Sequence, residues 1–313
     1  MNGLRVRSVC LSISAFIVLV SAMYAEPASA ADVLFSKALL QGKTVDSYLI
    51  QLAAGDTLVF DAPPSGTYVV HGRRLIVIAA SARVDANVTV SAFDGTDTPG
   101  PFVTVGLKGA DGANGVGQTG GAGNPAKPGD SPVPIAAAQG ASGPAAREMI
   151  FDIGNLTGSG KLTLDNSGGK GQKGQKGGKG GTGGQGAKGA DGSDSLVDCL
   201  SSGGDAGAAG IGGKGGTGGT GGPGGSGGLI LLSASLWGPP VNARIVTVTT
   251  GGKPGDPGDP GEHGDGGAAQ DGGNGSTYCG GGHGTGKGGI GLEGDTGAVG
   301  PTGASGKVSP IDP

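Results

Sequence analysis

The sequence predicts a mainly β protein with polyproline-II or polyglycine-II segments: a small β-solenoid-like or sandwich body carrying long glycine-rich hairpin insertions. Three observations predict this fold class. Glycine accounts for 75 of 313 residues, the apolar residues cluster in short runs, and one two-strand unit recurs along the chain. With 4% aromatic residues, the chain lacks the large side chains of a single globular core. Either much of it is disordered, or glycine is itself the packing element.

The first 30 residues have the pattern of a signal peptide. We expect little helix in the rest of the chain. Arg5 and Arg7 precede a short apolar stretch, and Ala28-Ser29-Ala30 fits a small-x-small cleavage site. The stretch is shorter than the roughly 20 residues of a spanning helix. We therefore expect a secreted, periplasmic or cell-surface protein without a transmembrane segment after cleavage. The formal net charge of −4 argues against a nucleic-acid partner.

The repeated unit consists of two short apolar runs. Its copies pair residues 75–78 with 88–90, 149–153 with 162–164, and 229–232 with 245–248. Each copy is followed by a glycine-rich segment, and stacking is the usual way for such small units to bury an apolar face. We therefore divide the chain as follows: signal peptide 1–30, N-terminal β region 31–105, first insertion 106–147, second β unit 148–167, second hairpin 168–228, third β unit 229–251, third hairpin 252–306 and C-terminal tail 307–313.

Glycine falls at every third position in the insertions, most regularly in residues 168–192 and 204–228. This period is typical of a polyproline-II helix, which has three residues per turn and rises about 3.1 Å per residue. Each 25-residue arm would then be about 75 Å long. Two equal arms joined by a short tip predict a hairpin of such helices, whose glycine faces allow close backbone packing.

Two kinds of known protein resemble these segments. The Gly-X-Y runs at 255–261 and 297–303 resemble bacterial collagen-like proteins, and the Gly-Gly-x run at 212–219 resembles the polyglycine-II bundles of phage tail-fibre adhesins and glycine-rich antifreeze proteins. The resemblance covers roughly residues 106–306 and is compositional. We favour the bundle, because residues 168–228 hold a single proline, Pro223, and the two arms are equal in length. A trimeric collagen-like stalk and disordered linkers are the alternatives.

Two charge stripes run along neighbouring insertions at steps of three residues. The basic stripe is Lys170, Lys173, Lys176 and Lys179, and the acidic stripe is Asp256, Asp259, Glu262 and Asp265. Both space their charges by roughly 9 Å in a polyproline-II helix. We expect the two arms to lie side by side with the stripes facing. The alternative is two separate solvated faces.

The hairpin tips hold the remaining candidate residues. Cys199 and Cys279 form an even pair in an exported chain, which suggests a disulfide between tips; two separate thiols or intermolecular bridges are the alternatives. Loop tips on a rigid scaffold commonly carry binding residues. The candidate tip contacts are Leu196, Val197, Leu200, Tyr278 and His283.

The motifs that suggest chemistry are incomplete. Residues 281–287 read G-x-x-x-x-G-K, but Gly288 follows instead of Ser or Thr, and no strand precedes them. Cys279 and His283 are too few for a structural zinc site. Residues 189–197 nearly match one calcium-binding nonapeptide, but such sites need consecutive copies. We therefore expect no catalytic residues, no metal site and no cofactor.

These features favour a secreted or cell-surface structural or adhesive scaffold without catalytic activity. Surface glycans or matrix proteins, of the host or of bacteria, are the expected partners, and the sequence leaves open an oligomer. One alternative is a specific glycan-binding or ice-binding protein that uses flat glycine-rich faces bearing Thr182, Thr217 and Thr220. The other is a trimeric collagen-like stalk.

Overall fold

The computed structural model describes residues 30–116, 137–237 and 244–311. The predicted signal peptide lies outside the described residues except for its last position, as does the middle of the first insertion. The described part is mainly strands arranged in parallel sheets, with two short helices. No helix within these ranges is both long enough and apolar enough to cross a bilayer.

The larger sheet has seven strands, and every pairing in it is parallel. The strands are β1 Asp32–Leu34, β2 Ser47–Gln51, β3 Thr57–Val59, β5 Arg74–Arg83, β7 Met149–Thr157, β11 Leu229–Leu232 and β13 Lys307–Pro310. Their order is β1-β3-β5-β7-β11-β13, and β2 pairs with the first half of β5. Because β3 pairs with the second half of β5, β2 and β3 together occupy one level of the sheet.

The smaller sheet has four strands in the order β12-β8-β6-β4, again all parallel. These strands are β4 Thr67–Val69, β6 Val88–Ser91, β8 Leu162–Asp165 and β12 Ile245–Val248. Successive copies of the repeated unit therefore place their first strand in the larger sheet and their second strand in the smaller one. A short antiparallel pair, β9 Ser193–Asp194 and β10 Cys199–Ser201, lies at the tip of the second insertion.

The three repeat copies stack in register. In the larger sheet Met149 is opposite both Leu75 and Ile230, and in the smaller sheet Leu162 is opposite both Val88 and Ile245. Alternate residues of both sheets meet in one buried cluster, as the two-residue side-chain period of a strand requires. Each level thus adds one row of aliphatic or aromatic side chains to a shared core.

Helix α1, Phe35–Gln41, covers the N-terminal end of this core. The ring of Phe35 stacks on Phe60 at 4.8 Å and meets Tyr68 edge-on at 5.0 Å. Burial and the neighbouring Asp61 carboxylate raise the pKa of Tyr68 to about 12. The second helix, α2 Ala234–Trp237, follows β11 and buries Leu236.

The C-terminal residues differ from the tail that the sequence analysis places at 307–313. Lys307–Pro310 form β13, which pairs with β11 along four residues. The sequence gives no strand pattern here, because the segment is short and ends at Pro310. Proline is acceptable at this position because β13 pairs with β11 alone and is an edge strand.

The parallel sheets fix where the insertions leave. Each insertion begins after a strand of the smaller sheet (β6, β8 or β12) and ends before a strand of the larger sheet (β7, β11 or β13). Because parallel strands end at one edge and begin at the other, the three insertions start side by side and return side by side. This arrangement places the glycine-rich segments next to one another.

Candidate functional site

Six described glycine-rich segments extend from the sheet edge in two layers. We call residues 100–116, 168–192 and 251–273 outgoing arms 1, 2 and 3, and residues 137–147, 203–228 and 280–306 returning arms 1, 2 and 3. Arms within a layer run parallel, and the two arms of the second and third insertions run antiparallel. Nearly all of the hydrogen bonds between these arms have a glycine N–H as donor and a backbone carbonyl as acceptor.

The outgoing layer continues the hydrogen-bond ladder of the smaller sheet. The N–H of Leu162 in β8 donates to the carbonyl of Arg244 at 2.9 Å, and beyond the sheet the N–H of Gly171 donates to Lys253 at 2.9 Å. The two bonds join residues with the same separation along the chain. Bonds of this separation recur at every third residue from Gly168 to Gly183, and again at Gly189 and at Gly192, which donates to Asn274. The register set in the sheet is therefore kept to the tip.

Backbone contact between the layers excludes any side chain. Gly216 donates its N–H to Gly178 at 2.8 Å, and Gly261 donates to Gly216 at 2.9 Å. A Cβ atom on Gly177 would lie 2.7 Å from the nitrogen of Gly261 and closer still to the oxygen of Gly216. Only glycine fits here, since real Cβ atoms do not approach backbone atoms that closely.

Two glutamines attach the first insertion to the second. Gln175, which is buried, accepts the N–H of Ala138 at 2.7 Å and donates to the Thr104 hydroxyl at 3.0 Å. Gln172 accepts the N–H of Ala141 at 2.7 Å. Neither residue is among the candidates predicted from the sequence. Their position could have identified them, because they occupy a row that outgoing arm 2 otherwise fills with glycine or alanine.

The structure brings the two charge stripes together. Each lysine of the basic stripe contacts one acid of the acidic stripe, in sequence order, and the ion pairs are exposed. The pairs are Lys170–Asp256 at 2.7 Å, Lys173–Asp259 at 2.7 Å, Lys176–Glu262 at 2.7 Å and Lys179–Asp265 at 2.9 Å. We call these four pairs the charge ladder.

Four members of the charge ladder have pKa values that are shifted in the direction expected for ion pairs. The hydrogen bond from Lys170 lowers the pKa of Asp256, and those from Lys176 and Lys179 lower the pKa values of Glu262 and Asp265. The hydrogen bond to Asp265 raises the pKa of Lys179. All of these groups are solvent-exposed, so the ladder selects which arms adjoin more than it stabilises them.

The two layers present different outer surfaces. The outgoing layer exposes the charge ladder, with Thr182 in the same row as its lysines. The returning layer exposes small uncharged side chains beside larger apolar ones, among them Ile211, Ile290, Leu292 and Val299, and it contains a further ion pair, Lys214–Asp295 at 2.6 Å. We call this second surface the returning face; its rows include Thr217, Thr220, Pro223, Ser226, Ala298, Pro301 and Ala304. Thr182 is therefore separated from Thr217 and Thr220, which the sequence analysis grouped on flat faces.

The tip joins the second and third insertions through a disulfide. Cys199 and Cys279 have Cα atoms 5.0 Å apart and sulfur atoms at bonding distance. Ser195 donates its N–H to the carbonyl of Asp198 at 2.8 Å, which closes a turn with Leu196 and Val197 at its apex. Leu196 is 94% exposed, Val197 82%, Leu200 69% and Tyr278 54%. Four large apolar side chains thus protrude at the end of the bundle.

Carboxylates fix the tip backbone. Asp191 accepts the N–H of Asn274 at 2.8 Å, and Asp205 accepts the N–H of His283 at 2.7 Å. Asp194 accepts the hydroxyl of Ser276 and the N–H of Tyr278, the latter at 3.2 Å. The Ser276 hydrogen bond is the main cause of the lowered pKa of Asp194. The structure therefore places all five predicted tip contacts in this region, with His283 held through its backbone.

Two further features lie outside the bundle. His71, Asp94 and Asp97 bring three potential metal ligands within 4.8 Å of one another, and the imidazole pairs with Asp97 at 2.9 Å. His71 has a left-handed backbone (φ 49°) in the turn before β5. A cavity of about 350 Å³ lies at the C-terminal end of the core, and none of the described residues that line it is titratable. Its lining residues are Leu232, Leu236, Trp237, Ile245, Thr247 and Val308.

The described residues thus form three parts: a stacked β body, a bundle of arms that pack through their backbones, and a disulfide-linked tip with exposed apolar side chains. Comparisons of the chain with protein-family models, with curated proteins and with solved structures find no match.

Proposed function

We propose that this chain is an exported structural and adhesive scaffold without catalytic activity. In this proposal the two parallel sheets are a β-solenoid, and the six arms are a polyglycine-II bundle that holds the tip at a fixed distance from it. The observation that carries the proposal is the constant register of outgoing arms 2 and 3. This register begins where β8 meets β12 and is kept as far as the tip. A ladder with constant register makes the bundle a stiff extension of the sheet instead of a flexible linker.

Two further features support an extracellular scaffold. Disulfides persist in oxidising compartments, and Cys199 and Cys279, which are 80 residues apart in sequence, join two insertions. The bundle is also built from groups that suit structure better than chemistry, because its interior is mainly glycine backbone and its charge ladder consists of exposed ion pairs. Surface glycans or matrix proteins are the partners that such a scaffold would engage.

Small-angle X-ray scattering, with analytical ultracentrifugation, on the oxidised mature protein tests the scaffold. A monomer with a longest dimension greater than the roughly 75 Å of one arm, and with a rod-like profile, is the expected result. A matched deletion of two triplets from both arms of each insertion should shorten that dimension by about 20 Å. A trimer with a collagen-like melt, or an expanded chain without a melting transition, would contradict the proposal.

A second candidate function is ice or glycan binding by the returning face. The specific observation is that the small side chains of the returning face lie on the opposite surface from the charge ladder, since rigid, regularly spaced small groups suit a flat ligand. Thermal hysteresis of the purified protein, or binding to a glycan array, tests this function. Replacing Thr220 with Lys should abolish the effect, whereas replacing Thr182 with Lys on the opposite surface should not.

A further inference from the structure

We propose that the tip docks on a lipid surface with zwitterionic headgroups, by inserting Leu196 and Val197 among the acyl chains. This inference rests on the proposed function, because it assigns a partner class to the tip that the scaffold presents. Leu196 and Val197 are the two most exposed large apolar side chains of the tip. They occupy the apex of a turn and therefore form a convex projection, which suits insertion into a deformable layer more than a flat protein contact.

The disulfide ties together the two segments that carry the other exposed apolar residues of the tip. Leu200 follows Cys199, and Tyr278 precedes Cys279. Asp194 fixes Tyr278 through its backbone N–H at 3.2 Å. Tyrosine, with an apolar ring and a polar hydroxyl, is typical of the membrane–water interface. The tip therefore carries two aliphatic side chains at its apex, Leu196 and Val197, and an aromatic residue suited to the membrane–water interface, Tyr278.

The charge around the apex selects the type of lipid. The described tip residues 188–205 and 270–287 hold five aspartates and two lysines: Asp191, Asp194, Asp198, Asp205 and Asp271, with Lys188 and Lys287. An anionic leaflet would repel this acidic tip. Zwitterionic headgroups such as phosphocholine expose an ammonium group outward, which complements the acidic tip while the apex reaches the acyl layer.

Vesicle flotation with the oxidised mature protein tests this inference. We expect the protein to float with phosphatidylcholine vesicles, and replacement of both Leu196 and Val197 by Ser to lower its apparent partition coefficient at least about tenfold. The matched control replaces Ile290 and Val299 by Ser; these residues are 64% and 61% exposed on returning arm 3, away from the tip. The control should float like the wild type.

A second arm of the experiment tests the charge argument. Adding phosphatidylglycerol to the vesicles should weaken flotation, and replacing Asp198 and Asp205 by Asn should relieve that loss. The lipid proposal is overturned if the wild type does not float, if the tip variant floats as well as the wild type, or if anionic vesicles bind more tightly. Scattering on the same samples separates the outcomes: a rod that does not float refutes the lipid partner alone, whereas loss of the rod refutes the scaffold.

Discussion

The ammonium group of Lys173 lies 2.7 Å from a carboxylate oxygen of Asp259, although 86 residues separate them in sequence. The same separation joins every pair of the charge ladder. The regularity follows from the shared register of outgoing arms 2 and 3, because a step of three residues on one arm matches a step of three on the other. Shifting one arm by one triplet would leave the terminal lysine or acid without its partner.

Reversing the lysines of the charge ladder should lower thermal stability. Replacement of Lys170, Lys173, Lys176 and Lys179 by Glu places like charges opposite each acid, so we expect a lower melting temperature. The loss should shrink at 1 M NaCl, where the Debye length falls to about 3 Å. Scanning calorimetry or circular dichroism measures both effects. A variant that also converts the four acids to Lys should regain stability, and equal melting of all three proteins would contradict the ladder.

Acid should lower the thermal stability of the protein by weakening the charge ladder. The pKa values of Asp256, Glu262 and Asp265 are lowered in the folded protein, so the ion pairs contribute above the ordinary carboxyl pKa of about 4. Their contribution is lost as the pH falls through the lowered values. Melting temperatures measured between pH 7 and pH 2 should show this decline. The four-lysine variant with Gln instead of Lys should lose less stability over the same range.

Replacing Gly177 with Ala should cost about 1–3 kcal/mol of unfolding free energy, because its methyl group would overlap the backbone of two neighbouring arms. Gly289 provides the control, since a Cβ there meets no atom within 4 Å. Gly289→Ala should be neutral or slightly stabilising, because alanine restricts the unfolded chain. Denaturant unfolding compares the two variants, and equal stabilities would exclude close packing at Gly177.

Removing the disulfide should destabilise the protein by about 2–4 kcal/mol, because the bond closes a long loop in the unfolded chain. Replacement of Cys199 and Cys279 together by Ser leaves no unpaired thiol and is the cleaner variant. Equilibrium unfolding measures the loss. Thiol titration of the denatured, unreduced mature protein should find neither cysteine reactive, and two reactive thiols would show that the bond is absent.

The sequence was most informative where a period was strict. The three copies of the repeated unit become β5–β6, β7–β8 and β11–β12, because their apolar runs are the residues that face the core. For the charge ladder, the sequence predicts that the basic stripe faces the acidic stripe, but it does not predict which acid each lysine contacts. The arm register that pairs them is set in the sheets, where β8 meets β12.

The sequence was least informative where the pattern lapses. Besides their backbone hydrogen bonds, outgoing arm 1 and returning arm 1 contact the amide groups of Gln172 and Gln175, and the glycine period does not indicate these contacts. The strand β13 is also hidden in the sequence, because four residues ending in proline do not show an alternation. Both features depend on neighbours that are distant in the chain.

The constant register also limits how such a chain can change its length during evolution. A single-residue insertion in one arm would move glycines out of the contacts they occupy and turn side chains into the backbone interior. Loss or gain of whole triplets, made in both arms of a hairpin and matched in its neighbours, would leave every remaining contact intact. In the gene, duplicating or deleting the three codons of whole glycine-containing residue triplets would therefore change the distance between the tip and the sheets while leaving the sheets unaltered.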